Sequence, residues 1–210
     1  CISKAPDTTS RIAFTEGDTQ FDSNGVQFIV NPYDEWYALV RALELKEAQG
    51  GSVTTITVGE ADCDPVIRKS LAIGADDAVR IDANPTDALQ VASLIANHAS
   101  TGGYDLVLCG KETIDHNGSV VGGMLAELMN ASFVSLATSL EVQAGVVKAT
   151  REAAGGMESV EASLPAVVSA AKGMAEQRIP NMRGIMAARS KPLNVVPAEG
   201  ALHGAAVAKF

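Results

Sequence analysis

The stretch YDLVLCGKETIDHNGSVVGGMLAEL, residues 104–128, decides the fold class of this chain. It runs from a short apolar segment, through a polar loop with glycines, into a helical pattern of apolar positions. Gly110 allows the backbone to turn sharply, and Asn117 to Ser119 stand where the helix would begin. Two interpretations fit this junction. It is either a turn in which Asp115 and Asn117 cap their own backbone, or a loop whose amides hold a nucleotide phosphate.

The same succession of strand and helix recurs on the amino-terminal side of this stretch. Residues 31–50 carry apolar side chains at helical spacing, with Asn31 and Pro32 at the start and Gly50 at the end. Further strands are predicted at 52–58, 78–81 and 105–110, and further helices at 64–74, 86–99 and 119–130. Strands alternating with helices of this length indicate a parallel sheet with helices on both faces. We therefore expect an α/β fold with a mostly parallel, Rossmann-like sheet.

Other segments flank this alternating core. Residues 1–3 are expected to end a first strand, and two apolar runs within residues 11–30 predict a surface hairpin. From about residue 132, short apolar strands without intervening helices predict an antiparallel meander that reaches Ala171. The tail, residues 197–210, has little core potential. It is expected either to be disordered or to lie against something else.

Composition excludes several classes of function. Of the 210 residues 47% are hydrophobic, but no apolar run approaches the length of about 20 residues that a membrane span needs. A formal charge of −9, with an isoelectric point near 4.8, disfavours nucleic-acid binding and direct insertion into membranes. Three cysteines without metal-ligand spacing indicate free thiols in a reducing compartment. We expect a soluble protein that binds small ligands or other proteins.

The ligand site is expected at the carboxyl ends of the strands, where ligands of open parallel α/β sheets bind. Residues 1–7, 58–64 and 110–121 should meet there. The loop lacks the terminal Lys-Ser/Thr pair of a Walker motif, and no GxGxxG follows the first strand. His116 and Glu112 are expected to be ordinary solvated loop residues. No Ser/His/Asp or Cys/His set is evident, so no catalytic residue is predicted.

A cluster of positive charge stands out near the carboxyl end of this acidic chain. It contains four basic residues, Arg178, Arg183, Arg189 and Lys191, and four interleaved apolar residues, Ile179, Met182, Ile185 and Met186. One interpretation is a solvated loop that offsets the acidic surface. The mixture of arginine and large apolar side chains is nevertheless enriched at protein interfaces, and methionine adapts to several partners. We favour a partner-binding surface that includes Arg178, Ile185 and Met186.

Several segments together resemble the β subunit of electron transfer flavoprotein. They are NPYDEWYALVRALELKE (31–47), LAIGAD (71–76), YDLVLCGKETID (104–115), TREAAGGMESVEASLPAVV (150–168) and PNMRGIMAARSK (180–191). These segments follow the order and spacing of that family over nearly the whole chain. The resemblance implies an adenine-nucleotide-binding α/β domain over residues 1–192 and an extended C-terminal arm over residues 193–210.

The resemblance also implies a function in electron transport. In that family the β subunit forms a heterodimer with a flavin-carrying α subunit. The heterodimer carries single electrons from acyl-CoA dehydrogenases of fatty acid β-oxidation, and from related dehydrogenases, to a quinone reductase. The implied cofactors are AMP in this chain and FAD held mainly by the α subunit. The implied location is cytoplasmic, and the chain itself would perform no bond-making chemistry.

The resemblance assigns the binding sites to particular residues. The adenine-nucleotide site carries over onto Cys1, Asn31, Pro32, Tyr33, Asp34, Val58, Gly110, Lys111, Glu112, Thr113, Ile114, Asp115, His116, Asn117, Gly118, Ser119, Val120 and Val121. Arg151 and Glu152 match the family's Arg-Glu pair near the subunit interface. Met182 matches the apolar residue that anchors partner dehydrogenases. Under this interpretation the loop of residues 110–121 wraps a nucleotide phosphate.

The end of the loop, VVGG at residues 120–123, does not identify which nucleotide is bound. Loops of AMP-type members end in Gln-Thr-Gly and those of electron-bifurcating members in Gln-Val-Gly-Pro, and this sequence matches neither. Because Asn117 stands where bifurcating loops favour Asp, we expect AMP. One alternative is the β subunit of a bifurcating flavoprotein, which binds a second FAD and oxidises NADH. Another is a nucleotide-binding regulatory module without a redox role.

Overall fold

A computed structural model describes residues 1–202, 204–205 and 208 of the chain. Within these residues the strands are β1 (Lys4–Pro6), β2 (Phe14–Thr15), β3 (Gln20–Phe21), β4 (Phe28–Val30), β5 (Thr54–Val58), β6 (Asp77–Asp82), β7 (Leu106–Gly110), β8 (Ser132–Gln143), β9 (Val146–Ala153), β10 (Gly156–Ser163), β11 (Ala166–Ala170) and β12 (Leu193–Pro197). The helices are α1 (Asp34–Gln49), α2 (Asp64–Ile73), α3 (Ala88–Gly102), α4 (Val121–Leu128) and α5 (Met182–Ala188). The predicted alternation of strands and helices from α1 to α4 is confirmed. The predicted surface hairpin differs in its pairing, because β2 pairs with β3, which lies between the two apolar runs, whereas the second run forms β4 and pairs with β1.

Two sheets form the centre of the molecule. One contains three parallel strands in the order β12, β6, β5, and the other contains five strands in the order β10, β9, β8, β11, β7. Residues 1–3 lie between β5 and β7, since the Cys1 nitrogen donates to the Leu108 carbonyl at 2.6 Å and the Ile2 amide donates to the Ile56 carbonyl at 2.9 Å. The chain then continues into β1, which pairs antiparallel with β4.

Helices cover both faces of the strands, as the alternation predicts. Leu108 of β7 and Val168 of β11 belong to the core cluster that contains Ala38 of α1. Their neighbours along the strands, Val107 and Val167, belong to a second cluster with side chains of α3 and α4. Successive residues of a strand point to opposite faces, so each strand contributes to two cores. The α/β fold class with a Rossmann-like parallel core is therefore confirmed.

The end of the expected meander differs from the prediction. β8, β9 and β10 are antiparallel neighbours, but β11 lies between β7 and β8 and runs parallel to both. Leu164 and Pro165 separate β10 from β11, and every residue of β11 is buried. A short run that is buried throughout is typical of a central parallel strand. The meander prediction is therefore wrong for residues 166–170, which form a parallel strand between β7 and β8 instead of the last antiparallel strand of a meander.

The basic segment is an ordered element that packs on α2. Residues 182–188, expected as a loop, form the helix α5, and the Asn181 side chain accepts a hydrogen bond from the Gly184 amide at 2.8 Å. A Cβ atom on Gly184 would lie 2.3 Å from the carbonyl oxygen of Ala72 in α2. Glycine therefore allows the two helices to approach closely. After α5, β12 pairs with β6, so the predicted arm of residues 193–210 begins as a strand of the sheet.

The tail after β12 lies against α3. The Asn97 side-chain amide donates to the carbonyls of Glu199 and Gly200, each at 3.0 Å. The Asp87 carboxylate, which caps α3, accepts from the Gly204 amide at 2.9 Å. Of the two expectations for the tail, contact with another part of the molecule holds for its described residues. The predicted arm also includes positions outside the described residues, namely 203, 206, 207, 209 and 210.

Candidate functional site

One buried side chain holds the loop 111–120 against the start of α1. Asn31 is fully buried, its Oδ1 accepts from the Ile114 amide at 2.9 Å, and its Nδ2 donates to the Glu112 carbonyl at 3.1 Å. Loss of either bond would leave a buried polar group unpaired, which is costly. Asn31 is therefore a positioning residue for the loop.

The junction between β7 and the loop is as tight as glycine permits. A Cβ atom on Gly110 would lie 2.7 Å from Cγ of Glu35 and 2.8 Å from the backbone nitrogen of that residue. Immediately after this glycine, the Lys111 amide donates to the Ala170 carbonyl of β11 at 2.9 Å. The loop is thus fixed at its start by β11 and in its middle by Asn31.

The second half of the loop is exposed and has a constrained backbone. Asn117 and Ser119 have φ angles of 48° and 52°, in the left-handed region that residues with a Cβ seldom adopt. In the part of the chain that the structure describes, the amides of Gly118, Ser119 and Val120 donate no hydrogen bond to protein. Consecutive free amides ahead of a helix are a typical arrangement for binding an anion. They directly precede α4, which begins at Val121.

The charged side chains of the loop pair with one another. Lys111 Nζ lies 2.8 Å from Glu112 Oε1, and the Ser119 hydroxyl donates to Glu112 Oε2 at 2.8 Å. Both contacts lower the pKa of the Glu112 carboxyl, and the contact with Lys111 has the larger effect. His116 lies 3.8 Å from Asp115 and is largely exposed. Because the basic side chain of the loop is already paired, an anion here would depend mainly on backbone amides.

A cavity of about 360 Å³ adjoins the loop. It is lined by the start of α1, the loop and the end of β11, through Pro32, Tyr33, Asp34, Tyr37, Lys111, Glu112, Thr113, Ile114, Asn117 and Lys172. Tyr37 and Lys172 are not among the predicted site residues. Tyr37 lies one helical turn after Tyr33, so helical spacing could have indicated it. Lys172 follows β11, and nothing in the sequence pattern showed that this strand lies beside β7.

Three predicted cofactor residues lie away from this cavity. Cys1, Val58 and Val121 pack against the core cluster that contains α3 and α4 side chains, and none of them lines the 360 Å³ cavity. A larger cavity, of about 430 Å³, lies between β5 and β7 and is bordered mainly by residues of α1, α3 and the two strands. Cys1 is the one predicted cofactor residue of the described chain that borders it, and no residue of the loop 111–120 does. We therefore do not assign the larger cavity to the predicted site.

Four apolar side chains protrude from the basic segment. We name them the apolar ridge, and their exposed fractions are 83% for Ile179, 74% for Met182, 58% for Met186 and 41% for Ile185. The segment below them is braced by Arg178, which pairs with both carboxylate oxygens of Glu47 at 2.6 and 3.1 Å. The Trp36 indole also donates to the Arg178 carbonyl at 3.2 Å. Ile179, the most exposed of the four, is not among the predicted partner-binding residues.

The predicted Arg-Glu pair lies on β9, in the antiparallel part of the larger sheet. Arg151 Nε lies 2.9 Å from Glu158 on β10, and its Nη1 donates to the Ser135 hydroxyl at 3.0 Å. Glu152 is exposed and lies opposite Met157, which is 57% exposed. The structure therefore presents one charged and one apolar side chain next to each other on this surface.

Comparisons with known proteins identify the family. A family model described as electron transfer flavoprotein domain matches residues 18–201. The protein named electron transfer flavoprotein subunit beta from Bacillus subtilis (strain 168) is 36% identical over 191 residues, which cover 89% of this chain and 73% of that relative. This chain belongs to the electron transfer flavoprotein β-subunit family.

Other members of the electron transfer flavoprotein β-subunit family extend the match. The protein of the same name from Syntrophomonas wolfei is 32% identical, over 96% of this chain and 79% of its own length. The human protein of that name is 31% identical, over 93% of this chain and 78% of its own length. The family match includes the loop 111–120, the apolar ridge and β12. In the described part of the chain, none of the helices has the length and apolar character needed to cross a membrane.

Proposed function

We propose that this chain is the β subunit of a heterodimer that carries electrons from acyl-CoA and related dehydrogenases to a quinone reductase. Membership of the electron transfer flavoprotein β-subunit family supports pairing with an α subunit. In this proposal the α subunit carries the FAD that takes part in electron transfer. This chain binds AMP as a structural nucleotide, contacts the α subunit and presents a docking surface, in the cytoplasm.

The loop 111–120 carries the AMP assignment. It follows a parallel strand and precedes a helix, Asn31 holds it from within the core, and three consecutive amides at its end are free of protein acceptors. A phosphate accepts hydrogen bonds from such amides and is further favoured by the amino end of a helix. The 360 Å³ cavity beside the loop adds a concave surface with two tyrosines, Tyr33 and Tyr37. Flat aromatic side chains of this kind can pack against a nucleotide base.

The apolar ridge is the proposed docking surface for dehydrogenases. Its four side chains are exposed on an element that Glu47, Trp36 and Gly184 fix against α1 and α2. Arg183 and Arg189 are exposed in the same segment. An apolar centre with arginines around it is the usual composition of a binding hot spot. We propose that Met182 inserts into an apolar pocket of the dehydrogenase, with Ile179 beside it.

The electron-carrier role is tested with this chain and its flavoprotein α subunit. We expect the two to co-purify as a one-to-one complex whose flavin is reduced by an acyl-CoA dehydrogenase and its substrate. The α subunit alone should accept electrons far more slowly. If no flavoprotein α subunit forms a complex with this chain, or if the complex accepts no electrons, the carrier role is excluded and a regulatory nucleotide-binding module is favoured.

A further inference from the structure

Glu35 is a buried carboxyl group directly behind Gly110, where the proposed nucleotide-binding loop begins. The residue is 5% exposed and lies in the first turn of α1. Its Oε2 accepts from the Ser3 amide at 2.7 Å and its Oε1 from the Ser3 hydroxyl at 2.6 Å. Gly110, the last residue before the loop, packs against its Cγ atom. The carboxyl therefore lies between residue 3 and the start of the loop, and the two hydrogen bonds from Ser3 come from neutral donors.

We propose that Glu35 is the proton-linked residue of this site: binding of a nucleotide phosphate at the loop 111–120 is accompanied by uptake of a proton from solvent at the Glu35 carboxyl. The inference rests on the proposed binding of AMP. A phosphate bound to the loop that follows Gly110 and an ionised carboxylate behind Gly110 repel each other, and poor solvation of the buried carboxylate strengthens the repulsion. Protonation of Glu35 removes this repulsion while its carboxyl oxygens can still accept hydrogen bonds.

The surroundings of Glu35 place its change of charge near neutral pH. Burial raises the pKa of Glu35 to about 7 in spite of its two hydrogen bonds. From the loop, Asp115 adds negative charge, which also raises the pKa of Glu35. Cys109 of β7 carries a thiol whose pKa burial raises to about 11, so this thiol stays neutral here. On the same helix, burial also raises the pKa of Asp34.

The sign of the linkage follows from these directions. Glu35 is largely neutral below pH 7 and becomes ionised above it, so AMP affinity should be highest below pH 7 and should fall as the pH rises. Linkage to one proton limits the fall to about tenfold per pH unit. Glu35→Gln keeps the size of the side chain and cannot ionise. Its affinity for AMP should therefore stay constant between about pH 6.5 and 9.

Calorimetric titration of AMP into the nucleotide-free heterodimer tests this directly. Near pH 8, titrations in two buffers of different ionisation enthalpy should show uptake of roughly half a proton or more per AMP. Glu35→Gln should show almost none. Glu127→Gln, which changes an exposed glutamate of α4, should behave as the wild type. Infrared difference spectra of the wild type should also show a new protonated-carboxyl band when AMP binds, which tests the proposal even if Glu35→Gln does not fold.

The possible results separate this inference from the proposed function. Binding of AMP without proton uptake and without the carboxyl band would overturn the role of Glu35 and leave the AMP site intact. Proton uptake that persists in Glu35→Gln would also overturn it. If the wild type binds no AMP anywhere between about pH 6.5 and 9, the proposed nucleotide site fails, and the role of Glu35 fails with it.

Discussion

Two residues at the junction of β7 and α1 determine the shape of the loop. Gly110 leaves room for the first turn of α1, and Asn31 satisfies one amide and one carbonyl of the loop from a fully buried position. Neither residue needs to touch a ligand in order to matter. Each sets the position of backbone groups, and the proposed phosphate contacts are backbone groups.

Replacing Gly110 by alanine should disturb this junction. The added Cβ would lie 2.7 Å from Glu35 Cγ and 2.8 Å from a backbone nitrogen that cannot move freely. We expect a loss of roughly 1–3 kcal/mol in the free energy of unfolding, measured with urea, because overpacking forces the backbone to shift. Gly118→Ala is the matched control, since a Cβ there would meet only Val120 at 3.7 Å. Equal stability of the two variants would contradict the tight junction.

Truncation of Met182 should weaken dehydrogenase binding without changing nucleotide content. Its side chain is 74% exposed, so Met182→Ala removes a protruding group and little core packing. A loss of roughly 1–3 kcal/mol of affinity for the dehydrogenase is expected for an anchor of this kind. Ile12→Ala, at a side chain 47% exposed near the hairpin, is the control. Unchanged affinity in Met182→Ala, measured by surface plasmon resonance, would remove the anchor assignment.

At the scale of elements, the sequence predicted the strands and helices whose apolar residues have a clear periodicity. Strand and helix alternate clearly from Asn31 to Asn130, and the structure confirms each element of that region. The position of β11 was not predictable in the same way, because AVVSA reads equally well as the last strand of a meander or as a central parallel strand. Lys172 reaches the site only through that insertion. The short helix α5 was missed since its arginines and methionines suit a loop as well.

The Asp87 carboxylate connects the tail to the amino end of α3 by hydrogen bonds. It caps α3 by accepting from the Gln90 amide at 2.7 Å and also accepts from the amides of Gly204 and Ala205. The hydrogen bond from Gln90, followed by that from Ala205, lowers the pKa of Asp87. A group with a lowered pKa contributes at neutral pH and loses its contribution as the pH falls through its folded pKa. The contact between tail and helix should therefore weaken on acidification.

Asp87→Ala should release the tail and fray the amino end of α3 together. Hydrogen exchange measured by mass spectrometry should show faster exchange both at residues 204–205 and in the first turn of α3. Asn97→Ala, which removes the bonds to Glu199 and Gly200, is the control and should speed exchange only in the tail. Unchanged protection of the α3 amino end in Asp87→Ala would contradict the shared cap.

At the scale of the whole molecule, α1 connects the two proposed functional surfaces. Its amino end carries Glu35 beside Gly110 and follows Asn31, whereas Trp36 and Glu47 brace the segment that bears the apolar ridge. The proposed nucleotide site and the proposed docking surface thus share one helix as support. A bound nucleotide would stabilise this helix at its amino end, in keeping with a structural rather than a catalytic role for AMP.

The nucleotide content of the heterodimer shows whether the loop 111–120 binds AMP or a flavin. The purified complex of this chain with its flavoprotein α subunit is denatured, and the released nucleotides are identified by chromatography and absorbance. We expect one FAD and one AMP per heterodimer. Two FAD and no AMP would contradict this expectation, and would make the loop 111–120 a flavin site of a bifurcating complex.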